Sequence, residues 1–88
     1  MSLSIEITPA GNGNQRVALA GRLDTHTYAD LDEQLGPVLD SSIQSLVLDL
    51  AGLDYISSAG VRSIFKARKA LATRGGKVVV VNPKPQIQ

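Results

Sequence analysis

A chain of 88 residues with 43% apolar and 19% charged side chains has the material for one small folded domain and excludes multidomain machinery or a disordered tail. The absence of cysteine rules out a disulfide framework, a thiolate metal site and a cysteine nucleophile. One histidine without a surrounding carboxylate cluster offers no zinc site or histidine triad, and three aromatic residues without tryptophan offer no base-stacking surface. Net charge is only +1, yet residues 58–88 hold Arg62, Lys66, Arg68, Lys69, Arg74, Lys77 and Lys84 and no acid, so every acidic residue precedes them.

Leu3, Ile5 and Ile7 alternate with Ser4, Glu6 and Thr8, the period-two pattern of a strand with one wet face, which Pro9 is expected to end. Residues 10–14 (AGNGN) carry turn chemistry, and Val17 and Leu19 resume the alternation, which predicts an opening hairpin closed at Gly21. Asp24 or Thr25 then supplies an oxygen to cap a helix running from Thr25, with Tyr28, Leu31, Leu35 and Leu39 on its apolar side. Gly36-Pro37 predicts a kink or break. The apolar run Ser45–Leu50 predicts a central strand whose exit is marked by Gly52 and Asp54.

Beyond Tyr55 and Ile56 comes Ser57-Ser58-Ala59-Gly60, and then Val61, Ile64, Phe65, Leu71 and Ala72 at helical spacing predict one core-facing stripe. Arg68 falls inside it, its alkyl stem expected along the core and its head in water. Gly75-Gly76 stops this helix, Lys77–Val81 is the last strand, and Asn82-Pro83-Lys84-Pro85 ends it. The order β-β-α-β-α-β predicts an α/β fold with a four-stranded mixed sheet, its last three strands mutually parallel because each is joined through a helix.

In open α/β sheets, ligands bind beyond the carboxyl ends of the strands, which directs attention to residues 52–62. Its serines lie at a helix N-terminus, where free N–H groups and the dipole tolerate an anion such as a phosphoserine. On residues alone the simpler reading leads, with Ser57 or Ser58 a plain N-cap and Gly60 a packing glycine. Asp24 reads as a cap, Asp49 as a structural carboxylate, His26 as solvated, and Arg62, Lys66 and Lys69 as a basic helix face that is either solvated or docks an acidic patch. A nucleic-acid surface is not indicated, and no phosphate-cradling motif or acid–base pair suggests an enzyme.

The segment LVLDLAGLDYISSAGVRSIFKARK resembles the STAS domain of bacterial anti-sigma factor antagonists. GRLDTHTYADL at 21–31 and the later RGGKVVVVNP follow in that family's order, so the resemblance covers nearly the whole chain. It implies a STAS-like sheet with helices packed on one face, and a partner-switching role in the cytoplasm without enzymatic activity or cofactor. Ser58 would be the phosphorylated residue, with Ser57 the less favoured neighbour. Asp24, Thr25, Ser57, Ser58, Ala59, Gly60, Arg62 and Lys66 would form the partner-binding surface. The implied partners are an anti-sigma factor that is also a serine kinase, and a PP2C-type phosphatase; there is no membrane span and no direct nucleic-acid contact. The alternative is an unphosphorylated scaffold or accessory STAS subunit of a stress-sensing complex or a lipid or anion transport system. Members of the resembling family continue past the NP turn with a further helix, so the chain is expected to be a single domain, 1–88, shortened at its C-terminus or closed by a second copy in a homodimer.

Overall fold

The computed structural model describes residues 3–11, 13–40 and 43–85. Its elements are β1 (Leu3–Gly11), β2 (Asn14–Leu23), α1 (Tyr28–Asp40), β3 (Ser45–Ile56), α2 (Ser58–Ala72) and β4 (Lys77–Val81). The sheet order is β1-β2-β3-β4, with β1 antiparallel to β2 and the other two pairings parallel, as the alternation of strands and helices requires.

One apolar cluster unites the sheet with the helices: Val17, Leu19 and Leu23 from β2, Leu46, Leu48, Leu50 and Leu53 from β3, Leu31 and Leu35 from α1, and Ala67 and Leu71 from α2. Residues that alternate with them, such as Ser4, Glu6, Arg16 and Ala20, are exposed on the other side of the sheet. Two crossovers bring the start of α1 and the start of α2 to the same end of the sheet. Ser57 N–H donates to the Leu23 carbonyl at 2.9 Å and fixes that junction.

Several sequence expectations are corrected. Pro9 does not end β1, which runs to Gly11. It lies on an edge strand, where its missing N–H costs little, and the register shifts between Pro9 and Gly11. The turn expected over 10–14 therefore shrinks; Gly11 and Gly13 both take positive φ, and Asn12 lies outside the described residues. Helix α1 begins at Tyr28, one turn later than expected from Thr25, and passes through Gly36-Pro37 without a break. Pro37 and Glu33, whose carbonyl loses its usual donor, are both exposed, so water replaces the bond.

Strand β3 does not leave the sheet at Gly52 but continues to Ile56. Ala18 pairs with Asp49 and Ala20 with Gly52, then Gly21 with Leu53 and Arg22 with Tyr55. Twice, β3 spends one residue more than β2, and each bulge resets which side chains face inward. Leu50 and Leu53 are consequently both buried although three positions apart. Gly52 serves this approach, because a Cβ there would stand 2.8 Å from the Ala20 Cβ.

The largest correction concerns α2. Its buried side is Gly60, Ser63, Ala67 and Leu71. Ile64 is only partly buried, and Val61 and Phe65 are 38% and 57% exposed; Arg68 and Ala72 are exposed too. Small residues let the helix lie close to the sheet, so of the stripe read from the sequence Leu71 is fully buried as expected while Val61, Phe65 and Ala72 turn to solvent.

Candidate functional site

Two chain segments meet at the site. The first is the turn leading into α1. Asp24 Oδ1 accepts the His26 N–H at 2.9 Å, Asp24 N–H donates to Thr27 Oγ1 at 2.9 Å, and the buried Thr27 hydroxyl donates to the Arg22 carbonyl at 2.8 Å. The His26 N–H is the main cause that holds the Asp24 carboxyl below its usual range, as expected of a carboxylate serving as a turn cap. Arg22 lies between two partners, with Nε 3.6 Å from Asp24 Oδ2 and its guanidinium 4.2 Å from the centre of the Tyr55 ring. The ends of β2 and β3 and the start of α1 are thereby tied across the surface.

The second segment is the serine loop. Ser57 is the N-cap of α2: it has extended backbone, and its Oγ accepts the Gly60 N–H at 3.3 Å. Ser58, the first helical residue, is exposed. Ala59 is half-buried. Gly60 is buried where a Cβ would come within 2.7 Å of Leu23 Cγ and 2.9 Å of Ile56 Cγ1. Gly60 therefore lets α2 close onto the strand ends.

Between the helices opens a cleft of about 350 Å³. Thr25, Ala59, Arg62 and Lys66, all expected from the sequence, line it, joined by Tyr28 and Asp32. Lys66 Nζ lies 3.5 Å from Asp32 Oδ2, an ion pair across the gap between α1 and α2. Asp24, Ser57, Ser58 and Gly60 do not line it; Asp24 and Ser57 shape its two walls through caps. Sequence reasoning missed Tyr28, placed with the core but 38% exposed, and also Arg22, Tyr55 and Asp32. A Tyr55–Arg22 stack and a Lys66–Asp32 pair join positions far apart in the chain, so only the strand and helix registers could have revealed them.

Asp49 lies away from this site. It accepts hydrogen bonds from Ala51 N–H at 3.0 Å and Asn82 Nδ2 at 3.2 Å, and pairs with Arg16. These donors, the Ala51 N–H foremost, hold its carboxyl below the usual range. Its role is structural, and Asn82 beside it takes a positive φ of 57°. Among the described residues, no group of three or more His, Cys, Asp or Glu is placed to hold a metal, and no helix is long and apolar enough to cross a membrane.

A mixed four-stranded sheet with a serine-capped helix at the end of its central strand defines a small α/β module. The STAS domain profile matches residues 10–88, and the chain belongs to that family. Among curated proteins it is 34% identical over 70 residues to BtrV of Bordetella bronchiseptica, named as a candidate anti-sigma factor antagonist, a match covering 80% of this chain and 60% of that protein. It is 33% identical over 60 residues to the anti-sigma-F factor antagonist RsfB of Mycobacterium tuberculosis, covering 67% and 49% respectively. The chain thus spans half to three fifths of the length of these relatives. Among solved structures, SpoIIAA in its unphosphorylated form superposes with a TM-score of 0.80 at 17% identity, over 93% of this chain and 76% of that one. The phosphorylated form of the Bacillus protein gives 0.79. At that identity the likeness concerns the fold.

Proposed function

We propose that this chain is an anti-sigma factor antagonist, bound by its partner when Ser58 is free and released when Ser58 carries a phosphate. The observation that carries this reading is the division of labour between two adjacent serines: Ser57 is committed to the Gly60 N–H, while Ser58 stands exposed at the start of α2, one residue before Ala59 of the α1–α2 cleft. Relatives named as antagonists support the partner class, and SpoIIAA, with the same fold, exists in both phosphorylation states.

The switch follows from charge. A kinase partner transfers the γ-phosphoryl group of ATP to Ser58 Oγ: the new O–P bond forms, the bond to the ADP oxygen breaks, and the hydroxyl proton passes to a base on the kinase. The product carries about −1.5 to −2 charges at neutral pH. On the free protein the phosphoryl group is tolerated by the helix N-terminus. In the complex it would bring charge and bulk into a desolvated contact. A PP2C-type phosphatase returns the serine by hydrolysis. Arg62, Lys66 and Thr25 form the wall of the cleft that meets the partner, and the chain acts as substrate and ligand in the cytoplasm, where ATP is available.

Incubation with an anti-sigma factor kinase and ATP is expected to add one phosphate, at Ser58, as read by mass spectrometry of peptides. Undiminished labelling of Ser58→Ala overturns the site. Ser58→Asp is expected to lose affinity for the anti-sigma factor in calorimetry; unchanged affinity overturns the switch.

A further inference from the structure

Helical spacing places Ser58 and Arg62 one turn apart on the exposed side of α2, opposite the buried Gly60, Ser63, Ala67 and Leu71. Arg62 lines the α1–α2 cleft, and its guanidinium forms no hydrogen bond or ion pair among the described residues. The neighbouring charges are already engaged. Lys66 is paired with Asp32, Arg22 lies between Asp24 and Tyr55, and Asp24 accepts the His26 N–H. Lys69, the other unpaired cation on this side of the helix, follows Ser58 by eleven residues. That is about 16 Å along the axis, against about 6 Å for Arg62. Helix α2 itself contains no acid, so no carboxylate on it competes for the Arg62 guanidinium.

We propose that a phosphate on Ser58 is held within the chain by Arg62, and that this pairing draws the guanidinium out of the α1–α2 cleft. The pairing rests on the function proposed above, in which Ser58 is the residue modified. An acid four residues before a base is the favourable order on a helix. A guanidinium also meets two phosphate oxygens with two parallel N–H donors, which an ammonium does not. With Lys66 committed to Asp32, Arg62 is the cation of the cleft wall left to meet a partner among the described residues. Phosphorylation therefore acts twice on the docking surface: it adds negative charge at the start of α2 and takes positive charge away from the wall of the cleft. Through the second effect, Ser58 governs a cleft that it does not itself line.

The probe is the full 88-residue chain made by total chemical synthesis with a phosphate on Ser58, so that no kinase is needed, its phosphate titrated by phosphorus NMR at about 50 mM salt. The second phosphate ionisation lies ordinarily near pH 6. It is expected roughly half a pH unit or more lower in this chain than in its Arg62→Gln counterpart, because the guanidinium favours the dianion. Arg62→Lys should recover part of that difference, and Lys69→Gln should titrate as the parent does. On phosphorylation, the amide resonances of Thr25 and Tyr28 in the cleft should move in the parent and stay in place in Arg62→Gln. Equal ionisation with and without Arg62, or an equal effect of removing Lys69, overturns the pairing. Cleft resonances that move alike in the parent and Arg62→Gln overturn the withdrawal from the cleft. A kinase that leaves Ser58 unlabelled overturns the proposed function instead, while the titration of the synthetic chain still decides the pairing.

Discussion

A hydroxyl that accepts an N–H from the third residue of a helix helps to hold that helix, whereas a hydroxyl one position later contributes little to it. Ser57→Ala should therefore lower the unfolding free energy by about 0.5–2 kcal/mol in urea titrations, the usual cost of losing a cap. Ser58→Ala should stay within about 0.5 kcal/mol of the parent, as exposed substitutions do. A reversed order would move the capping role, and with it the free hydroxyl, to the other serine. The same local chemistry explains why the sequence alone leaves the pair unresolved: both are good caps, and which one bends out of the helix depends on where β3 ends. That end is displaced by two bulges which no residue pattern announces. Asp24 is legible as a cap, while the Arg22–Tyr55 stack that buttresses it is not.

At the level of elements, α2 shows how a correct periodicity can be assigned to the wrong surface. Val61, Ile64, Phe65 and Ala72 do share one side, but the helix is drawn to the sheet by its smallest residues, Gly60, Ser63 and Ala67, because those permit the closest approach. Hydrophobicity marks the larger stripe and volume decides the contact. Gly60→Ala tests this directly. Its Cβ would have to displace Leu23, which is fully buried, so a loss of about 1–3 kcal/mol is expected from overpacking, even though alanine is the better helix former. Stabilisation on that substitution would show that α2 has room to retreat. In α1 the lesson is the reverse: Pro37 looks like a breaker, yet the wet side of a helix tolerates it, since a lost bond there is replaced by water.

For the molecule as a whole, the element order and the parallel pairing are legible because strand and helix periods alternate cleanly and crossover connections leave few topologies. The lengths of β1 and β3 are not, since bulges and an edge proline are resolved only by cross-strand pairing. A test at this scale uses Asp49, whose hydrogen bonds join Arg16 of β2, Ala51 of β3 and Asn82 beyond β4. Its carboxyl titrates below the ordinary 3.8 in the folded protein. The contribution of the ionised group is accordingly complete above that pH and lost as pH falls through the lower, folded-state value. In urea titrations across pH, the parent should exceed Asp49→Asn in stability from neutrality down to about pH 5, and the gap should close in stronger acid. A gap that stays constant throughout would show that charge on Asp49 is immaterial.

The parallel pairing also governs the order in which the chain assembles. Only β1 and β2 are neighbours in sequence; Gln15 must find Leu46, and Ser45 must find Lys77, each across an intervening helix. Closing such loops costs entropy before any contact returns it, so a chain of this design folds more slowly than a helical bundle of equal length. The hairpin is the one piece of sheet with a short search, forming on the microsecond scale of isolated hairpins. Until β3 arrives, the inner edge of β2 stands open with Val17 and Leu19 beside it, an invitation to pair with another chain. A newly made copy is therefore most vulnerable to aggregation while α1 is being laid down, before the serine loop exists.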